Sequence, residues 1–259
     1  EIRLSLVGSD MCIRDRNKRN ILIGIVIIVF GLVFVPRVID RVKNNDISRS
    51  ESRSLKLDNF EKNIESLPYL LINNERKMVP EFKFINQNGE LISNSDYLGK
   101  VYIVEFFFTT CTTICPIMNT NLVHIQNSFT AFPEFGIASF SINPEYDTVE
   151  VLNQYANDNG IVNSNWNLMT GNRDDIYKLA NDGFNLYTAA STEFVDGFEH
   201  SGYFALVDKN GYIRCRNDQF GNPKIYYKGS VNFQEKLDSN GESEEITVLK
   251  EDLLKLLSE

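Results

Sequence analysis

The stretch that most constrains this chain is one where an apolar strand runs straight into a helix. Lys100 to Phe108 is a continuous apolar run rich in Val, Ile and Phe, which suits a strand covered on both faces within a parallel sheet. The sequence then passes through T-T-C-T-T-I-C-P. Pro116 fits a first helical turn, and Ile117, Met118, Leu122, Ile125 and Phe129 recur at near-helical spacing. A strand, a short loop and a helix therefore follow one another from Lys100 to Phe129, with Cys111 and Cys115 at the junction.

The neighbouring patterns extend this into a domain. V-P-E-F-K-F-I-N-Q-N-G-E-L-I-S, from Val79, resembles a hairpin turning at Asn88-Gly89. A strand is expected at Phe135 to Ser141, a helix at Thr148 to Asn157 and a further helix at Arg173 to Asp182. Strands follow at Tyr203 to Val207 and Tyr212 to Arg214, with a final amphipathic helix at Glu244 to Leu257. Alternating strands and helices with hairpins at both ends predict an α/β domain with a mixed central sheet flanked by helices.

The N-terminal quarter is of another kind. Ile21 to Val35 is uninterrupted apolar sequence preceded by Arg14, Arg16, Lys18 and Arg19. It is shorter than the roughly 17–25 residues of a full span, and Pro36 with a snorkelling Arg37 extends it. P-R-V-I-D-R-V-K offers no small-x-small cleavage site, so an uncleaved anchor is expected at 17–36. The positive flank keeps its N-terminal side in the cytoplasm, which for a bacterium means a single inner-membrane span and a periplasmic domain. Residues 1–16 resemble a translated sequencing-adapter read, in which case Cys12 is not native. The polar residues 37–77 read as a stalk, and 78–259 as the folded domain. A net charge of -9 gives no footprint for nucleic acid.

The chemistry centres on three residues. A thiol at a helix N-terminus is biased toward thiolate, and Cys115 is placed there. Cys111, four residues earlier, can fold back so that both sulfurs converge on one ion, pair as a disulfide, or lie buried. His200, in D-G-F-E-H-S-G-Y-F-A-L-V-D, ends a polar loop before an apolar strand and is the natural third ligand. Two thiolates and an imidazole form a soft three-coordinate set suited to Cu(I), whereas structural zinc takes four ligands. His124 lies nine positions beyond Cys115 on the same helix, roughly 13 Å away, and reads as surface. Cys215, in a turn-like region between Arg214 and Arg216, reads as a partly exposed thiol outside the site.

These residues carry a family resemblance. F-F-F-T-T-C-T-T-I-C-P, S-I-N-P-E-Y-D-T-V-E-V-L-N-Q-Y-A, N-W-N-L-M-T-G and F-E-H-S-G-Y-F-A-L-V-D-K-N-G stand in the order of the blocks of the Sco/SenC family, and the likeness spans about Pro80 to Tyr227. It implies a thioredoxin-like fold, copper ligation by Cys111, Cys115 and His200, and a part in assembling the binuclear copper centre of cytochrome c oxidase. The implied partners are the copper-centre subunit of the oxidase, a copper donor and a periplasmic thiol reductant. Asn143 and Val149 depart from the family's Asp and Pro, and Glu199 stands where Asp commonly precedes the histidine, either orienting His200 or lying solvated. The resulting reading is a membrane-tethered metallochaperone, a binding and transfer protein rather than a turnover enzyme. The alternative is a thiol–disulfide reductase cycling Cys111 and Cys115 to reduce the oxidase's copper-ligand cysteines. A peroxidase is a weaker third reading, because no Arg-Thr arrangement stands beside either thiol.

Overall fold

The computed structural model describes residues 23–24, 30–32, 66–190, 198–218 and 220–259, with 190 and 198–200 described by backbone alone. The leader at 1–16, most of the anchor at 17–36 and the stalk from 37 to 65 lie outside the described residues. Residues 23–24 and 30–32 are helical. Among the described residues no helix is long and apolar enough to cross a membrane.

The chain divides into two compact units, Glu1–Lys62 and Asn63–Glu259, and the second holds the sheet. Its packing starts earlier than the sequence suggested, because Leu67 and Leu70 are buried. Strands β1 (Leu71–Ile72) and β2 (Glu75–Arg76) pair across Asn73 and Asn74, both at positive φ, as a tight hairpin turn demands. The Arg214 guanidinium explains the early start. It donates to the Leu67 carbonyl, to Asp208 at 3.0 Å and to both carboxylate oxygens of Glu259 at 2.8 and 3.1 Å. The Tyr69 ring lies 4.2 Å from the same group. A buried cation thus gathers the start of the domain, the end of a strand and the C-terminus.

The hairpin β3 (Lys83–Asn86) and β4 (Leu91–Ser93) leads to β5 (Val101–Phe107), α1 (Cys115–Ser128), β6 (Phe135–Ser141), α2 (Val149–Asp158) and β7 (Trp166–Thr170). Helix α3 (Arg173–Lys178) continues into a wider π turn at Leu179–Phe184. There follow β8 (Thr188–Ala190), β9 (Phe198–His200), β10 (Tyr203–Val207) and β11 (Ile213–Arg214). The chain ends with β12 (Arg216–Asn217), β13 (Pro223–Lys224), β14 (Tyr226–Lys228) and α4 (Ile246–Ser258). The main sheet runs β11-β10-β5-β6-β7-β3-β4, with β14 also on β10. Pairs β5–β6 and β6–β7 are parallel, and the outer pairs are antiparallel. The expected mixed α/β sheet is therefore present, with β7 added between β6 and β3.

Alternation along β5 separates the two layers. Phe106 stacks on Phe140 at 5.3 Å and meets Phe184 of the π turn, while Phe107 on the opposite face tilts against Tyr155 of α2 at 5.7 Å. The loop after β5 thus leaves the sheet at the C-terminal ends of its two central parallel strands, where ligand sites in open α/β sheets gather.

Candidate metal centre

Cys111 lies in the loop after β5, and Cys115 is the first residue of α1. Pro116 sits in the first turn, where its missing N–H removes no helical hydrogen bond. Ile114 occupies the N-cap and has no side-chain oxygen to cap the helix. The Cys111 sulfur stands in that place, accepting from the Cys115 N–H at 3.5 Å. Thr113 Oγ1 lies 3.6 Å from the same sulfur. The four-residue spacing therefore brings Cys111 back over the start of the helix, and both cysteines are buried.

Burial reverses one expectation. The helix N-terminus was expected to favour a Cys115 thiolate, but desolvation pushes this thiol well above its ordinary range. The hydrogen bond and charge of Cys111 push the same way, a backbone hydrogen bond at Phe108 opposes them, and the Glu105 charge adds to the rise. Taking a charged sulfur out of water costs more than a half-charge of helix dipole returns. Cys115 is accordingly a protonated thiol near neutral pH.

Beside it lies a group that the reading of Lys100–Phe108 as continuously apolar passed over. Glu105, in the middle of β5, is buried and accepts from Ser139 Oγ at 2.6 Å, while Trp166 Nε1 donates to the same hydroxyl at 2.9 Å. Burial raises its carboxyl to about 7, against the Ser139 hydrogen bond. The Tyr155 phenol is raised first by burial and then by the charges of Glu105, Cys115, Cys111 and Asp147, which places these groups in one electrostatic neighbourhood.

Asp147 fixes the loop. Its buried carboxylate accepts from the Thr109 N–H at 3.1 Å and from the hydroxyls of Thr109 and Ser141. Thr109 is two residues before Cys111, so one side chain ties the cysteine loop to the end of β6. The signal was present in the sequence: Asp147 closes the S-I-N-P-E-Y-D block. Thr148 then caps α2, and Val149 fills the first helical position that proline would suit.

The third residue is placed by its backbone. His200 ends β9, paired with Thr188 of β8, and its side chain and that of Glu199 lie outside the described residues. Two residues on, Gly202 has φ +65, and a Cβ there would lie 3.1 Å from Ile114 Cδ1. The segment that follows His200 therefore packs on Ile114, the last of the three residues between the two cysteines. Among the described residues no cluster of three His, Cys, Asp or Glu side chains is poised for a metal. His124 stacks on Phe233 at 3.6 Å, and Lys250 Nζ lies 3.1 Å from its Nε2, so it is engaged in packing rather than plainly exposed. Cys215 was expected to be partly exposed and is instead buried, its N–H bonded to Pro68 O at 2.9 Å as the early segment docks.

The sequence profile of SCO1/SenC matches residues 72–230, a span that includes Cys111, Cys115 and His200. The chain belongs to the SCO1/SenC family. The SCO1 protein homolog of Bacillus subtilis is 31% identical over 137 residues, covering 52% of this chain and 70% of that protein. The structure of BsSco, a member of the Sco family of cytochrome c oxidase assembly proteins with a disulfide switch, is similar at a TM-score of 0.56. Its identity is 26%, over 70% of this chain and 94% of that one. Arabidopsis thaliana ScoI, solved with copper bound, shares the fold at a TM-score of 0.52 and 18% identity, over 70% of this chain and 98% of that one. The family's thioredoxin-like architecture is the one described above.

Proposed function

We propose that this chain is a copper metallochaperone that takes Cu(I) as cargo on Cys111, Cys115 and His200 and delivers it to the copper-centre subunit of cytochrome c oxidase. The observation that carries the reading is the convergence at the start of α1. The Cys111 sulfur folds onto the Cys115 amide, and Gly202 packs against Ile114 between them. Gly202 is two residues from His200, at most about 7 Å along an extended chain. Two soft sulfurs and an imidazole form a donor set that suits Cu(I). BsSco belongs to an oxidase assembly family, which supports the client, and Arabidopsis ScoI has been solved with copper, which supports the cargo.

Burial gives the site a chemical logic. A protonated, solvent-shielded Cys115 resists oxidation in an oxidising compartment, because the thiolate is the form that reacts. Cargo entering the site supplies the positive charge that the buried sulfur lacks and displaces its proton, so uptake and release proceed by exchange of ligands. The apolar run Ile21 to Val35 would hold the domain on the periplasmic side of the inner membrane, close to an integral-membrane client.

The placement of the Cys111 sulfur on the Cys115 amide also favours a second reading, a dithiol–disulfide couple that reduces the client's cysteines, and a disulfide switch has been identified in BsSco. An anaerobic Cu(I) competition titration of the reduced protein separates the two. Metallochaperone activity predicts one tightly held Cu(I) per chain, lost in Cys111→Ser/Cys115→Ser and weakened in His200→Ala. A reductase alone predicts no competitive binding, with disulfide reduction intact and indifferent to His200→Ala.

A further inference from the structure

Asparagine is a poor residue for a helix interior, since its amide competes with the backbone for hydrogen bonds. Asn121 nevertheless stands in the middle of α1, six residues after Cys115, with 0% of its surface exposed. Its amide is fully engaged across the chain. Nδ2 donates to Gly229 O at 2.8 Å and to Val231 O at 2.9 Å, and Oδ1 accepts from Phe233 N at 3.1 Å. One side chain thereby binds the whole 229–233 turn to the cysteine helix.

That turn holds the segment after His200. Gly229 N donates to Gly202 O at 2.9 Å, and Tyr203 pairs with Lys228. Ser230, inside the turn, and Ile114 both crowd the position that a Cβ on Gly202 would take. Little play remains, because a Cβ on Gly229 would fall 2.5 Å from the Phe204 ring. The path runs from Cys115 along the helix to Asn121, across the turn to Gly229, and through Gly202 back to Ile114 beside Cys115.

We propose that Asn121 is a positioning residue for the metal centre: it sets how the His200 segment stands relative to Cys111 and Cys115 without touching the cargo. This rests on the three-ligand reading above. Losing the clasp should weaken Cu(I) binding about 10-fold or more, as loss of an outer partner does at other metal sites, and only while His200 is available as a ligand.

The test is a double-mutant cycle on the full chain, read by anaerobic Cu(I) competition, with Asn121→Leu removing the three bonds on the same branched skeleton. In the native background Asn121→Leu should weaken binding; in the His200→Ala background it should change nothing further. Equal weakening in both backgrounds, or none in the native one, would overturn the positioning role and leave Asn121 as a fold residue. If His200→Ala alone leaves the affinity unchanged, the ligand reading fails and takes this inference with it, a result distinct from either. Should Asn121→Leu not fold, Asn121→Gln, which keeps the donors and acceptor but lengthens the reach by one methylene, is read by the same cycle.

Discussion

Two buried polar clusters in this domain use the same physics to opposite ends. Around Arg214 the charge is fully answered. Desolvation works against the cation, but the carboxylates of Glu259 and Asp208 more than compensate and hold it charged. Around Cys115 and Glu105 burial is the largest effect, and it keeps both in their neutral forms as neutrality is approached. A buried charge with all its partners present is a fastener. A buried acid held neutral can still change state, which is what a site that loads and unloads a cation requires.

The largest effect that would break this comparison is expected at the fastener. Arg214→Met leaves Asp208 and Glu259 without their cation and frees Leu67, and should cost about 3–5 kcal/mol in urea unfolding. Cu(I) affinity of the folded fraction should stay native, because no proposed ligand touches Arg214. A drop in affinity matching the stability loss would show that the two clusters are one.

Next in size is Glu105, where the pH dependence has a definite sign. Its folded value, about 7, lies above the ordinary 4.5, so the folded state holds this proton more tightly than the unfolded one. Its contribution to stability is complete below about pH 4.5 and is lost as pH rises through about 7, a swing on the order of 3 kcal/mol. Glu105→Gln, which can still accept from Ser139, should flatten this part of the stability–pH curve. An unchanged curve would mean that Glu105 is not held neutral.

Smallest is Gly202. An alanine there adopts a left-handed backbone at φ +65 and presses on Ile114 and Ser230. Gly202→Ala should cost about 1 kcal/mol of stability and should weaken Cu(I) binding through displacement of the His200 segment. Normal binding in a destabilised Gly202→Ala protein would detach that segment from the site.

What the sequence made legible follows the reach of each interaction. Local pattern sufficed for β6, found at Phe135–Ser141 as expected, for the β3–β4 hairpin and for the start of α1. The cysteine spacing was readable because a helix start fixes where four residues lead. Long-range effects were not. Leu67 to Lys77 look like stalk until Arg214, 147 positions from Leu67, bonds its carbonyl. Strand β7 escaped notice because W-N-L-M-T carries an inward Asn167, whose amide is satisfied by Asn86 and the Tyr97 hydroxyl across the sheet. The protonation of Cys115 was misread for the same reason: the helix dipole is visible in the sequence, and the depth of burial is not. Glu105 was a single letter inside an apolar run, and its Ser139 partner lies 34 positions away on β6.

The central claim is that two sulfurs and one histidine share a single cargo ion. X-ray absorption of the Cu(I)-loaded protein, native against His200→Ala, tests it most directly. The account predicts a coordination shell of two sulfurs and one imidazole nitrogen in the native protein, with the imidazole scattering lost in the variant. A sulfur-only shell that is identical in both proteins would contradict it.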